Sequence, residues 1–276
     1  MGHGQALGVA AVWPGGARRL ETGVMPEDLV AEHLDAAKLA EAAGRALLEL
    51  RAAPPVLRDL GAAGDRLAHQ LLVGELNRLY PDDDVRSEEG LEHVAGAGRL
   101  WIIDPLDGTR EFRQLDRPDW AVHVALAVGG EPLVGAVALP AMDLVLTTAE
   151  PPVLPPLRSG EPPRVVVSRS RPPDVAYDVT EALGGVMVPM GSAGAKIAAV
   201  ILGAAEVYVH AGGQYEWDSC APAAVALASG LHASRLDGEP LHYGDPDAWL
   251  PDLVVCRAEY APSVLDVTTR QRRPYW

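Results

Sequence analysis

The chain has 276 residues, of which 23 are basic and 38 acidic, so its formal net charge is −15. Its length suits one large domain or two closely joined ones, and a hydrophobic content of 48% indicates a globular protein rather than a disordered chain. Net acidity argues against binding to a nucleic-acid polymer or to an anionic membrane, although bound cations can create a local site for phosphate.

Two features bear on the compartment. No apolar run reaches the ~18 residues that a membrane span needs. Cys220 and Cys256 provide neither a disulfide framework nor the spacing of a zinc site. We therefore expect a cytoplasmic protein with free, buried thiols and no membrane partner.

In chain order, residues 1–24 lack any periodicity and predict a loose tail, with Met25 opening the folded part. Apolar residues at helical spacing predict helices over 27–51 and 66–80, and Asp65 stands just before the second of them. Short apolar or alternating runs predict strands, the last three of which form an antiparallel meander. These strands are 85–88, 100–103, 120–128, 133–139 and 143–148.

The proline-rich segment 151–163 predicts a boundary between an α+β half, residues 25–150, and an α/β half, residues 151–276. Strands and helices alternate after this segment. The predicted strands are 164–167, 186–190, 206–210 and 252–257, and the predicted helices are 173–183, 192–202 and 218–229.

The strongest local signal is the run W-I-I-D-P-L-D-G-T at residues 101–109. A buried strand ends in Asp104 and Asp107, and the tight turn that follows leaves the Leu106 carbonyl unpaired. Three oxygen ligands at this spacing suit a hard cation such as Mg²⁺. The alternative is an Asp-Pro turn with Asp-Gly hairpin chemistry and no ligand.

Further carboxylates stand at the ends of other predicted elements. Glu88 and Glu89 follow a short strand, Asp65 precedes one helix, and Asp218 begins another. Each has a structural alternative, either a solvated acidic turn or a helix N-cap. Several such clusters together favour a site with two or three cations, because metal ions offset the mutual repulsion of the carboxylates.

An anion site is predicted where a strand runs into the helix at 192–202. Free backbone N–H groups, the helix dipole and Lys196 would favour a negative charge there. The alternative is a Ser192 cap beside an exposed lysine. His210 ends a neighbouring predicted strand, and its alternative is a purely structural histidine.

These motifs resemble the lithium-sensitive, Mg²⁺-dependent phosphatases of the inositol monophosphatase superfamily. The resemblance rests on D-P-L-D-G-T at 104–109, E-W-D at 216–218 and S-E-E at 87–89, and it extends from about residue 27 to 258. Within that superfamily the chain looks most like the CysQ-type 3′(2′),5′-bisphosphate nucleotidases of actinobacteria. Segments 110–112, 167–171, 191–196 and 210–219 support this closer likeness.

The resemblance implies a layered α/β/α/β/α sandwich of the inositol monophosphatase and fructose-1,6-bisphosphatase type, and a homodimer. The first half would carry most metal ligands and the second would complete the active site. Glu88, Asp104 and the Leu106 carbonyl would hold one Mg²⁺. Asp104, Asp107 and Asp218 would hold a second.

The resemblance also assigns roles around those ions. Asp65 and Glu88 would serve a third ion or the attacking water, which Thr109 would orient. The backbone N–H groups of Gly108 and Thr109 would hold the phosphate. Rim contacts to the rest of the substrate would come from Arg171, Ser192, Lys196 and His210.

Three departures from the family pattern concern the third metal and the rim. D-L-G-A-A-G-D at 59–65 replaces the usual S-P-V-T-x-A-D, and G-S-A-G-A-K at 191–196 is one residue longer than usual. His210 stands where related nucleotidases often have arginine. We read these as features of an actinobacterial branch.

The expected activity is removal of the 3′-phosphate of adenosine 3′,5′-bisphosphate in sulfate assimilation, with 3′-phosphoadenylyl sulfate as a further candidate substrate. The main alternative is an inositol-1-phosphate or fructose-1,6-bisphosphate phosphatase with overlapping activities, because the metal centre contacts only phosphate. A haloacid-dehalogenase-type phosphatase does not fit the three-residue spacing of the aspartates. A Mg²⁺-binding module without catalysis would bind cations but release no phosphate.

Overall fold

The structure, a computed structural model, describes residues 29–53, 59–93 and 98–271. The predicted tail over 1–24 and the start at Met25 lie outside these residues. The helices are α1 Val30–Ala52, α2 Leu60–Leu79, α3 Thr109–Phe112, α4 Asp174–Ala182, α5 Ala193–Ile201, α6 Cys220–Ala228 and α7 Ala261–Gln271. The strands are β1 Asp84–Ser87, β2 Gly90–His93, β3 Arg99–Asp107, β4 Ala121–Val128, β5 Glu131–Leu139, β6 Leu144–Thr147, β7 Arg164–Ser168, β8 Val186–Met190, β9 Val207–Tyr215, β10 His232–Ser234 and β11 Trp249–Cys256.

The strands form two sheets. The first has the order β2-β1-β3-β4-β5-β6, in which β1 and β3 are parallel, β3 pairs antiparallel with β4, and β4 to β6 form the predicted antiparallel meander. The second has the order β10-β11-β9-β7-β8, with β7 parallel to both β8 and β9. The expected combination of α+β and α/β elements is therefore present.

Three hydrophobic clusters separate five layers. Leu72 of α2 and Trp101 of β3 belong to the cluster that joins α1 and α2 to one face of the first sheet. The middle cluster contains Ile102 from the first sheet, Val225 from α6 and Val255 from the second sheet. Because this cluster contains residues of α5 and α6 as well as of both sheets, the two helices lie between the sheets.

The outer face of the second sheet is covered by α4 and α7. Val179 of α4 and Val264 of α7 share a cluster with Val207 of β9. The order is thus helices, sheet, helices, sheet, helices, which confirms the expected α/β/α/β/α sandwich. The division into halves at 151–163 stays a prediction. Within the described part of the chain, no helix has the length and apolarity that crossing a membrane requires.

Several element boundaries differ from those predicted. α2 begins at Leu60, because the Asp59 side chain accepts a hydrogen bond from the Ala62 N–H at 3.2 Å and so caps the helix. The expectation that Asp65 opens this helix is therefore wrong, since Asp65 lies inside it. Ser219, not Asp218, is the N-cap residue of α6, and a single turn of 3-10 helix, Glu216–Asp218, precedes it.

Candidate metal centre and active site

Asp104 and Asp107 lie at the end of β3, where its pairing with β4 is irregular. Asp104 pairs with His123 and Asp107 with Ala121, and the register shifts between these two pairs. In a regular strand, residues three apart would point to opposite faces. The bulge removes this alternation, so both aspartates can face one site.

Asp218 completes the cluster from the 3-10 turn between β9 and α6. One carboxylate oxygen from each of Asp104, Asp107 and Asp218 can be chosen so that all three lie within 4.8 Å of one another. The Asp218 Oδ2 atom also accepts a hydrogen bond from the Tyr215 N–H at 2.9 Å, which fixes its orientation. The structure therefore brings together residues more than 100 positions apart in the chain.

The electrostatics of this cluster fit a divalent cation. Burial and the neighbouring carboxylates of Asp107, Asp218 and Glu88 hold the pKa of Asp104 well above its ordinary value. Burial, followed by the charge of Asp107, raises the pKa of Asp218 to about 7. A bound cation would remove this penalty, and a set of carboxylate oxygens is the donor set that Mg²⁺ prefers.

The start of α5 holds Asp107. The Ser192 hydroxyl donates to Asp107 Oδ2 at 2.5 Å, and the backbone N–H groups of Ala193 and Gly194 donate to the same carboxylate at 3.2 and 2.6 Å. Ser192 Oγ also accepts from the Ala195 N–H at 2.9 Å and is the N-cap of the helix. Some of the backbone N–H groups that were predicted to bind an external anion therefore bind the Asp107 carboxylate instead.

Lys196 is buried, not exposed as the structural alternative required. Its ammonium donates to the carbonyl oxygens of Gly191 and Ser192, the latter at 2.8 Å, and it lies over the Tyr208 ring. Burial lowers its pKa to about 8, and Asp107 and Asp218 oppose that shift. Lys196 thus places a cation behind the carboxylate cluster.

His210 lies beside this lysine. Its Nε2 is 2.9 Å from the Gly213 carbonyl oxygen. Burial lowers its pKa, and the positive charges of Lys196 and Arg171 act in the same direction. Arg171 itself is exposed. His210 is therefore within electrostatic reach of two other predicted rim residues, Lys196 and Arg171.

Asp65 and Glu88 lie on the other side of the cluster. Burial, with the charges of Glu88 and Glu89, raises the pKa of Asp65 to about 7, and its buried Oδ1 has no hydrogen-bond partner. Desolvation together with the charges of Glu89 and Asp107 also raises the pKa of Glu88. Neighbouring carboxylates with raised pKa values are typical of functional sites.

Gly108 and Thr109 form the turn from β3 into α3. Gly108 adopts a left-handed conformation with φ of 86°, which favours glycine. The Thr109 hydroxyl donates to the Leu106 carbonyl oxygen at 3.2 Å. The expectation that this carbonyl is unpaired is therefore wrong, although its second lone pair can still serve a ligand.

Sequence reasoning missed several buried polar residues around the site. The His123 Nδ1 lies 2.9 Å from the Trp217 carbonyl oxygen, and its Nε2 lies 3.4 Å from Asp107 Oδ2. Asp119 accepts from the Gly191 N–H at 3.0 Å. His123 is an inward position of the predicted strand 120–128, so strand alternation was the only available signal.

Glu216 is a second missed residue, although it belongs to the E-W-D motif. It is buried, and its carboxylate lies 2.5 Å from Arg86 Nη1. It also accepts from the backbone N–H groups of Gly244 and Asp245 at 2.6 and 2.9 Å. Glu216 therefore fixes the loop before β11 to the turn that carries Asp218.

The layered fold and its carboxylate cluster define a mixed α/β protein with a candidate site for a cation. Comparison with known proteins is more specific: residues 36–151 and 164–271 match the inositol monophosphatase family. The chain is 48% identical over 249 residues to the 3′-phosphoadenosine 5′-phosphate phosphatase of Mycobacterium leprae (strain TN), covering 84% of this chain and 91% of that protein. It is 32% identical over 200 residues to the 3′(2′),5′-bisphosphate nucleotidase CysQ of Escherichia coli (strain K12), covering 68% and 81%.

Solved structures agree with this likeness. CysQ from Bacteroides thetaiotaomicron, a bacterial member of the inositol monophosphatase family, superimposes with a TM-score of 0.71 at 26% identity and covers 82% of this chain and 97% of that one. An inositol monophosphatase from Anabaena gives a TM-score of 0.70 at 21% identity, covering 88% and 97%, which supports the fold alone. The chain belongs to the inositol monophosphatase family, and the resemblance to CysQ-type nucleotidases is confirmed.

Proposed function

We propose that this chain is a Mg²⁺-dependent phosphomonoesterase that removes the 3′-phosphate of adenosine 3′,5′-bisphosphate, with 3′-phosphoadenylyl sulfate as a second candidate substrate. The observation that carries the chemistry is the convergence of three carboxylates within 4.8 Å. The choice of substrate is supported by the name of the M. leprae relative, which shares 48% of its residues over 249 positions.

The ligand set proposed for the ions is supported by the cluster of three aspartates and is extended by the family resemblance. Asp104, Asp107 and Asp218 would hold one Mg²⁺, and Glu88, Asp104 and the Leu106 carbonyl would hold another. A third ion would use Asp65, whose buried Oδ1 has no partner. When bound, the ions would neutralise the phosphate charge, stabilise the leaving oxygen and make water more acidic.

The other groups would act on water and phosphate. Asp65, whose pKa is raised to about 7, and Glu88 would accept the proton of the attacking water, and Thr109 would orient that water. The backbone N–H groups of Gly108 and Thr109 would hold the phosphate. The water oxygen would form a bond to phosphorus as the bond from phosphorus to the 3′-oxygen breaks. The 3′-oxygen would take up a proton, so that inorganic phosphate and the 3′-hydroxyl are released.

The rim would bind the remainder of the nucleotide. Lys196 and Arg171 both lie close enough to His210 to influence it electrostatically, and the three would face the second phosphate or the ribose. Ser192 would act mainly through Asp107, because its hydroxyl is already donated to that carboxylate. We further propose inhibition by Li⁺, a role in sulfate assimilation and a cytoplasmic location. We also propose a homodimer, which a measurement of molecular size in solution checks directly.

Phosphate release tests the activity. The purified chain is assayed with Mg²⁺, with and without Li⁺, on adenosine 3′,5′-bisphosphate, inositol 1-phosphate and fructose 1,6-bisphosphate. We expect the highest kcat/KM for the nucleotide. A preference of more than about tenfold for either of the other substrates, equivalent to ~1.4 kcal/mol of transition-state binding, would overturn the assignment.

Asp104→Asn is the variant that separates catalysis from simple cation binding. We expect it to stay folded and to lose phosphate release on every substrate. Cation binding by the parent without phosphate release from any of the three substrates would instead indicate a Mg²⁺-binding module.

A further inference from the structure

Two exposed aromatic residues that meet each other, Tyr215 and Trp249, have no function in the proposed roles above, and Tyr215 stands three residues before Asp218. Tyr215 is 46% exposed and Trp249 is 40% exposed. The backbone N–H of Tyr215 donates to Asp218, so the tyrosine is attached directly to a proposed metal ligand. Large exposed aromatic side chains are costly in water and often mark a recognition surface.

The two rings have a defined mutual geometry. The Tyr215 ring stacks on Trp217 with a centroid separation of 4.6 Å and an interplanar angle of 9°. It meets Trp249 at 84° with a centroid separation of 5.3 Å. Tyr215 thus extends an aromatic stack outward from the protein interior, and Trp249 stands nearly perpendicular to it.

Gly213 packs against the Trp249 ring and, having no side chain, leaves room for it. Gly213 has a φ of 87°, and a Cβ atom at this position would lie 1.7 Å from the Trp249 ring. The carbonyl of Gly213 contacts His210, which connects this surface to the cationic rim. Any larger residue at 213 would displace the indole.

Buried polar contacts hold the loop that carries Trp249. Glu216, paired with Arg86, accepts the Gly244 and Asp245 N–H groups, and its own N–H donates to the Ala248 carbonyl at 2.9 Å. Ala248 has a φ of 54°, a left-handed conformation that is costly for alanine and persists only where surrounding contacts enforce it. The indole is therefore positioned by the structure rather than free at the surface.

We propose that Tyr215 and Trp249 form the subsite for the planar heterocyclic base of a nucleotide, and that they select nucleotides over inositol and sugar phosphates. The inference rests on the proposed function, because it concerns the leaving group of the same reaction. A flat, weakly polar ring gains by stacking on an exposed aromatic face, whereas a polyhydroxylated ring needs hydrogen bonds that these two side chains largely lack.

Single substitutions test this subsite. Tyr215→Ala and Trp249→Ala should each lower kcat/KM for adenosine 3′,5′-bisphosphate about tenfold, mainly through KM, since stacking contributes to binding of the base. The same variants should change kcat/KM for inositol 1-phosphate less than twofold. Tyr215→Phe should restore the nucleotide value, because it keeps the ring, and Tyr215→Ala keeps the backbone N–H that contacts Asp218.

The matched control is Tyr177→Ala, which removes a 52% exposed tyrosine from α4 in the outer layer. This variant should have the same kcat/KM as the parent for both substrates. Thermal melting checks the folding of every variant. An equal loss on both substrates, or no loss on the nucleotide, would overturn the subsite.

Direct binding separates this inference from the proposed function. Adenosine 5′-phosphate, the expected product, is titrated against the parent and the variants by calorimetry. Weaker binding by Tyr215→Ala and Trp249→Ala supports the subsite, and unchanged binding contradicts it. A parent that releases no phosphate from adenosine 3′,5′-bisphosphate yet binds adenosine 5′-phosphate through these rings would refute the proposed function alone.

Discussion

The cluster of Asp104, Asp107 and Asp218 predicts that removing a charge stabilises the metal-free protein. Their oxygens lie within 4.8 Å of one another, and Asp104 is 3% exposed. Two unit charges at this distance repel by about 3 kcal/mol at an effective dielectric constant of ~20. Partial protonation relieves some of this repulsion, so we expect Asp104→Asn to raise the free energy of unfolding by about 1–3 kcal/mol near pH 8 in EDTA.

The substitution preserves local structure. The Asp104 Oδ1 accepts from the Leu106 N–H at 3.0 Å, and an asparagine oxygen can accept the same hydrogen bond. For a chain of this size, each kcal/mol shifts the melting temperature by roughly 2–4 °C. In EDTA the variant should therefore melt several degrees above the parent.

Magnesium should reverse or close this difference. A ligand that binds only the folded state stabilises it by about 2.7 kcal/mol at 100 times its Kd. The parent should gain this stabilisation. Asp104→Asn should gain much less, because a neutral amide replaces one of the carboxylate ligands.

Thermal melts in EDTA and in saturating MgCl₂ measure both effects, and the exposed Asp82→Asn is the control that should keep the response of the parent. A variant less stable than the parent in EDTA, or equal stabilisation of both proteins by Mg²⁺, would refute the argument that these carboxylates repel one another around a cation site.

Three further predictions concern the surroundings of the site. Ser192→Ala removes both the N-cap of α5 and the hydroxyl donated to Asp107, so urea unfolding should show a loss of about 1 kcal/mol and a weaker Mg²⁺ response, and a full response would contradict the role of that hydroxyl. Arg86→Met leaves Glu216 buried without its ion-pair partner and should lower the free energy of unfolding in urea by about 3–5 kcal/mol. The double variant Arg86→Met with Glu216→Gln should recover part of this loss. A loss near zero for Arg86→Met would exclude this role of the pair. Burial lowers the pKa of His33 below its ordinary 6.5, so its stabilising contribution is present above that pH and is lost as the pH falls through the folded value. The urea midpoint should therefore fall less between about pH 8 and pH 5.5 in His33→Gln than in the parent, and equal falls would show that His33 does not carry the dependence.

Local sequence signals predicted several elements close to their observed bounds. The predicted meander, β4 to β6, has such a signal in its Gly129-Gly130 turn, and its strands were found nearly complete, whereas the predicted strand 100–103 covers only part of β3. α1 and α4 were likewise found within a few residues of their observed bounds. In these segments local pattern and tertiary packing favour the same structure.

Elements that depend on distant partners were missed or shortened. β9 was predicted to end at His210, but it continues to Tyr215 through two glycines because β11 pairs with it there. The short β2 and β10 and the helix α7 were not predicted. Contacts supplied by neighbouring strands are not encoded in the few residues that receive them.

The site shows the same division between local and distant information. The motif at 104–109 indicated the ligands, but the hydrogen bonds from the start of α5 to Asp107 span 85 or more residues. The burial of Lys196 was also not predictable, because its helix, α5, is covered by other layers only in the folded chain. A single sequence gives residue types at a site more readily than their hydrogen-bond partners.

The position of the bulge in β3 explains why the D-P-L-D spacing works. Strand alternation alone would place Asp104 and Leu106 on one face and Asp107 on the other. Leu106 instead packs in the cluster that contains Trp101 and Ile103, the face opposite to Ile102. Pro105 lies between Asp104 and Asp107 and has no N–H to donate to β4, so the ladder of hydrogen bonds is interrupted there. The proline thus shifts the strand by one residue, which buries Leu106 against the outer helices and turns both carboxylates toward the same site.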